Sequence, residues 1–218
     1  MLSSPFEPDI GFQAIPISRE NLAKLNKSEL SLVNSFTSQK RRLEFASGRL
    51  ALRKAAAQLK LDLSMPILIS ESGLPALPTD LLCSVSHSNN IVAAAIGKKA
   101  DLFILSLDIE FCRQNINLNI AKKILLDNEH RWVFKNNHGR EERLLRIFSA
   151  KECVYKGVSH LLNQSLYFKD VSCHWSETEE FSCTVDAAKI KAFKAGHAFK
   201  VKSKKEKEYI CSSLAIYR

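Results

Sequence analysis

No apolar run in this chain approaches the roughly 20 consecutive residues that a bilayer-spanning helix requires. Nor do the first residues, MLSSPFEPDIGF, offer a basic region followed by a long apolar core, so they do not read as a secretory signal. These two absences predict a soluble, cytoplasmic protein with no membrane partner. The six cysteines include no C-x-x-C pair, so the clustered thiols of a structural zinc site are missing. They sit in apolar or mixed segments and read as small hydrophobes, and a reducing compartment would keep them from pairing. What the chain does have is enough apolar residues for a core: they make up 45%, an ordinary globular level, so disorder is not the default reading. Its 218 residues suit one large domain or two small lobes.

The formal net charge of +9 attracts anions: nucleic acid, acidic membranes, phosphorylated cofactors or an acidic protein. Nucleic-acid binding lacks support, because no helix-turn-helix, zinc finger or aromatic stacking motif is present.

Pro5, Pro8 and Pro16 interrupt any periodicity over residues 1–16, which read as irregular. Short helices are expected from Ser18 and over 28–34. A long helix is predicted over 36–60, with Leu43, Ala46, Leu50 and Ala57 as its buried stripe. Arg42, Arg49 and Arg53 form a second stripe, since steps of 7 and 11 residues return to within about 20° of the start. That stripe is either a solvated basic face or a phosphate-binding ridge suited to guanidinium forks. After a loop marked by Gly73, Pro75 and Pro78, three strands, 81–87, 91–97 and 102–109, read as a meander. Helix is predicted again over 118–135 and 141–162, and 166–218 reads mostly as strands. Helix then strands, twice over, suggests two similar lobes without a residue-level repeat. The lysines from Lys189 to Lys207 read as a solvated strand-and-turn face that resists edge pairing, with a protein-docking role as the alternative.

Asp108 and Glu110 lie two apart at a strand end and so share a face. They are either two solvated acids or the hard-oxygen half of a divalent-cation site. Glu152 and Lys156, at i and i+4 of a helix, are either a surface ion pair or part of the same site. Ser86 and His87 stand at another strand end, where hydroxyl and imidazole groups can hold phosphate oxygens. A two-metal nuclease would use the same acids, but would leave Ser86, His87 and Lys156 without a task.

Taken in order, Ser86-His87-Ser88, then Ser106-Leu107-Asp108-Ile109-Glu110, then Phe148-Ser149-Ala150-Lys151-Glu152-Cys153-Val154-Tyr155-Lys156, these segments resemble the motifs of the 4'-phosphopantetheinyl transferase superfamily. The likeness is to its two-lobed members that activate siderophore and surfactin synthetases. The Gly48-Arg49 step in the long helix extends it to about residues 36–160. The resemblance implies an α+β, pseudo-twofold, two-lobed monomer, each lobe a small, mainly antiparallel sheet packed with helices. The lobes would be 1–105 and 106–218, with the active site where they meet. It implies transfer of 4'-phosphopantetheine from coenzyme A to a serine of an apo acyl- or peptidyl-carrier protein, an acidic helical bundle, with release of 3',5'-ADP. Asp108, Glu110 and Glu152 would hold Mg2+. Ser86, His87 and Lys156 would bind phosphates, and Arg49, Arg53 or Arg42 would reach those of the adenosine end, Arg49 by its motif match and Arg42 and Arg53 by helix geometry alone. Glu152, directly or through a water, and Lys156 would serve catalysis, and Glu129 would be a further ligand or proton acceptor. Two positions depart from the family pattern: Ser106 replaces a glycine, and Gly73-Leu74-Pro75 lacks the basic residue of a G-K-P loop. A relative that binds coenzyme A without transferring its arm is the alternative these departures leave.

Overall fold

A computed structural model describes residues 2–71, 73–112, 118–159, 166–176, 179–186, 188–190, 193 and 196–218. The chain divides into two units, residues 1–105 with 215–218, and residues 106–214. Each contains an antiparallel sheet packed with helices, an α+β arrangement.

In the first unit the sheet order is β1-β3-β2, with β1 (Gly11–Pro16), β2 (Leu81–Ser88) and β3 (Ile91–Lys98). Strand β1 corrects the irregular reading of residues 1–16. Its Pro16 is tolerated because β1 is an edge, and its outer rim is closed by a side chain. Phe12 N–H donates to Gln58 Oε1 at 3.0 Å, and Gln58 Nε2 donates back to the Phe12 carbonyl at 2.8 Å. Gln58 ends α2 (Gln39–Gln58), whose N-terminus is capped by Ser38 accepting from Arg41 N–H. Leu52, Ala55 and Ala56 of α2 pack with Val92, Ala94 and Ile96 in the core. Ala57 lies outside the buried stripe and is exposed. A Cβ on Gly11 would run into the Ala55 carbonyl, so the glycine sets how closely α2 lies on β1. Gly11→Ala is therefore expected to cost about 1–3 kcal/mol, read as a lower melting temperature by circular dichroism.

Strand β4 (Leu102–Phe111) does not extend a meander from β3. It heads the second sheet, ordered β4-β8-β7-β6-β5, with β5 (Val171–Trp175), β6 (Glu180–Val185), β7 (Ala198–Glu206) and β8 (Tyr209–Tyr217). The alternation of β7 buries Phe199, Val201 and Ser203 and exposes Lys200, Lys202 and Lys204, so these lysines line a solvated face. Lys191 and Lys194 fall outside the described residues. The single helical stretch expected over 118–135 is broken: a 3-10 turn (Leu118–Ile120), α3 (Ala121–Ile124) and α4 (Asp127–Val133) are separated at Leu125 and Leu126. The long helix of this unit is α5 (Arg140–Val158).

Each unit contains a buried glutamate with the same set of donors. Glu29 sits in the first turn of α1 (Lys27–Asn34), where its Oε2 accepts from Asn26 N–H at 3.2 Å. Its Oε1 accepts from Arg53 of α2 at 2.6 Å and from Ile67 N–H at 2.8 Å. In the second unit Glu129 of α4 takes Leu126 N–H at 2.7 Å, Lys151 Nζ of α5 at 2.7 Å and Cys173 N–H at 2.7 Å. Both carboxylates thus close their own helix N-terminus, accept a cation from the long helix and pin a later backbone segment. The finding corrects the reading of Glu129 as a metal ligand or proton acceptor: it is 1% exposed and both its oxygens are engaged.

Candidate active site

Alternation along β4 puts Ser106, Asp108 and Glu110 on one face. Ser106 is fully buried, and its hydroxyl donates to the Cys153 carbonyl of α5 at 2.7 Å. The serine that departs from the family glycine thus ties the strand to the helix. Two residues on along β4 and three along α5, Asp108 Oδ1 accepts from Lys156 Nζ at 2.6 Å. Asp108 is 3% exposed, and Lys156 is partly open to solvent. Glu152 is the i−4 neighbour of Lys156 and lies in the same electrostatic cluster. Burial pushes its carboxyl above the ordinary range, the charge of Asp108 adds to that, and Lys156 opposes it. Glu110 is half-buried further along the strand.

Two neighbouring carboxylates, Asp108 adding to the cost of ionising Glu152 and a cation already drawn to Asp108, are a donor set that suits a hard divalent ion. Among the described residues, no three His, Cys, Asp or Glu side chains are already gathered into a metal-binding group. Beside Glu152 lies a cavity of about 300 Å³, walled by Tyr155, Tyr167, Phe168 and Val171, with Lys123 and Lys151 also lining it.

In the first unit Ser86 and His87 leave β2 on opposite faces. Ser86 is 5% exposed, whereas the His87 side chain is 41% exposed. The His87 Nδ1 lies 3.5 Å from Glu44 Oε1 of α2. The arginine stripe has a structural task. Arg42 donates to the carbonyls of Phe36 and Asn34 at 2.8 and 3.3 Å. Arg49, 6% exposed, donates to the carbonyls of Ile67 and Leu68 at 2.6 and 2.9 Å, and burial lowers its pKa to about 10. Arg53 reaches the carbonyls of Leu63 and Met65 as well as Glu29. In the loop beyond, Gly73 adopts φ 82° and Leu74 is exposed.

Residues 29–97 match the 4'-phosphopantetheinyl transferase N-terminal domain, and residues 105–213 match the 4'-phosphopantetheinyl transferase superfamily. The chain belongs to that superfamily. Among curated proteins, it is similar to the 4'-phosphopantetheinyl transferase Svp of Streptomyces mobaraensis, with 30% identity over 135 residues. That stretch covers 60% of this chain and 53% of the relative, about half its length. In this superfamily member Arg42, Arg49, Arg53, Ser86 and His87 lie within the N-terminal domain match. Asp108, Glu110, Glu152 and Lys156 lie within the second.

Sequence reasoning missed Glu44 and the Ser106 contact. Helical spacing gave a signal for Glu44, which sits one turn before Gly48 on the face turned to β2. The Ser106 hydroxyl had no such signal, because its partner is a backbone carbonyl. No helix among the described residues is long and apolar enough to cross a membrane.

Proposed function

We propose that this superfamily member transfers 4'-phosphopantetheine from coenzyme A to a serine of an apo acyl- or peptidyl-carrier protein, releasing 3',5'-ADP. The observation that carries the reading is the Asp108–Lys156 contact of 2.6 Å with Glu152 beside it. Asp108, Glu110 and Glu152 would hold Mg2+, which when bound supplies positive charge to the pyrophosphate oxygens.

In this reading the carrier serine oxygen bonds to the β-phosphorus of coenzyme A. The bond from that phosphorus to the bridging oxygen breaks, and 3',5'-ADP departs with the electron pair. Lys156 sits where its ammonium can neutralise charge gathering on phosphate oxygens while it orients Asp108. Glu152, whose carboxyl is already raised, takes the serine proton through a water it holds. The apolar wall of the cavity beside Glu152 suits the uncharged pantetheine arm. His87, the exposed member of its pair, is the stronger phosphate ligand, with Ser86 behind it in the same strand. Arg42, Arg49 and Arg53 contribute to the adenosine phosphates through whatever donors their carbonyl partners leave. The surplus of +9 favours an acidic carrier. A monomer working in the cytoplasm completes the reading.

The test is direct. The protein is incubated with Mg2+, coenzyme A and a panel of apo-carriers, and the carriers are weighed by mass spectrometry. A gain of one phosphopantetheine is expected on at least one carrier, and its loss when EDTA is added. Coenzyme A binding with no gain on any carrier would overturn transfer and leave a binding protein.

A further inference from the structure

Glu44 carries a carboxylate in a place that costs free energy. It is 8% exposed, and a buried charge is retained only with a partner. Two ion-pair partners of Glu44 among the described residues are unequal. Lys40 stands 3.7 Å away, one turn back on the same helix, but is 80% exposed and contributes little. The other is His87 Nδ1 at 3.5 Å, from the strand below.

The geometry that brings them together is built into the backbones. Gly48 of α2 lies directly over β2, since a Cβ there would meet Val85 Cγ1 at 3.4 Å. Four residues back along α2 is about 6 Å, and two residues on along β2 is about 6.7 Å. A step from the Gly48–Val85 contact therefore lands on Glu44 and His87. Helix and strand keep the pair in register as long as Gly48 lets them approach.

We infer that Glu44 is a positioning residue for His87, holding Nδ1–H toward α2 and favouring the imidazolium, so that Nε2–H is presented to a phosphate. A neutral imidazole with Nδ1 protonated would offer Nε2 as an acceptor, which repels a phosphate oxygen. A carboxylate next to the ring removes that problem by favouring its charged form. Glu44 from α2 favours the imidazolium, and Lys40, from the same helix, partly offsets it. The inference rests on the reading of His87 as a phosphate ligand.

The test separates the two claims. Glu44→Gln keeps the shape and removes the charge. The titration and tautomer of His87 are followed by 15N NMR in the wild type, Glu44→Gln and Glu44→Asp. Glu44→Gln should lower the pH at which His87 protonates, and Glu44→Asp should restore part of the difference. Coenzyme A binding, measured by calorimetry near neutral pH, should weaken by about three- to fivefold in Glu44→Gln, the scale of a half-exposed ion pair. The deficit should shrink at a pH low enough to protonate His87 in both proteins. An unchanged His87 titration in Glu44→Gln overturns the positioning role. Unchanged coenzyme A affinity in His87→Ala overturns the phosphate reading instead, whatever the titration shows.

Discussion

Asp108→Ala is expected to reduce carrier modification by at least about 10²-fold, the loss that follows removal of one preorganised charge-stabilising group. The fold should survive. Asp108 is the buried partner of Lys156, and Lys156 is open enough to solvent to keep its charge hydrated once Asp108 is gone. Alanine also removes the charge that raises Glu152, so the Glu152 carboxyl should ionise more easily in the variant. Activity is read as mass gain on a carrier, and folding as an unchanged thermal melt. Asp108→Asn helps interpretation because it keeps the volume and one acceptor oxygen while discarding the charge. Near-full activity in both variants would sink the metal assignment.

The second large effect falls on stability. Lys151 and Glu129 are each 1% exposed, and the ammonium also donates to the carbonyls of Ile124 and Phe168 at 2.8 and 2.9 Å. Lys151→Met leaves the Glu129 charge buried with only two backbone donors. The expected cost is about 3–5 kcal/mol, the range for breaking one half of a buried pair. The readout is specific to the second unit, because both tryptophans of the chain, Trp132 and Trp175, lie there. Urea unfolding followed by tryptophan fluorescence should shift to markedly lower denaturant. Replacing both partners, as in Glu129→Leu with Lys151→Met, should recover part of the loss, because removing a whole pair spares the stranded charge while leaving the Leu126 and Cys173 N–H groups without an acceptor. If Lys151→Met unfolded at the wild-type midpoint, the pair would have no structural weight.

Motif order carried more of the candidate site than any single residue did. Asp108, Glu110, Glu152 and Lys156 could be named because the spacing of two on a strand and four on a helix is local. For Glu44 helical spacing gave only its place one turn before Gly48, since its importance depends on which strand α2 crosses and at which residue. The arginine stripe shows the reverse limit. Helical periodicity put Arg42, Arg49 and Arg53 on one face, but could not say that loop carbonyls from Asn34 to Leu68 would meet them there. β1 escaped notice because Pro5 and Pro8 before it and Pro16 at its end outweighed a short buried run, and because its edge is satisfied by Gln58 from far along the chain. The broken helix near Leu125 was invisible for a similar reason. The turn there is held by the Glu129 side chain, and apolar spacing runs straight through it.

The glutamates at 29 and 129 bear on how such a chain can change over generations. Core leucines and valines can be exchanged for one another in small steps, each nearly harmless if volume is kept. A buried carboxylate with a cation and two amide donors has few such steps open to it. Arginine and lysine can stand in for each other, as Arg53 and Lys151 do, but a neutral residue on either side strands a charge unless its partner changes at the same moment. Substitution is therefore expected to be slower at these positions than around them. A likeness between the two units can persist in this pattern of bonds after the letters around it have drifted apart.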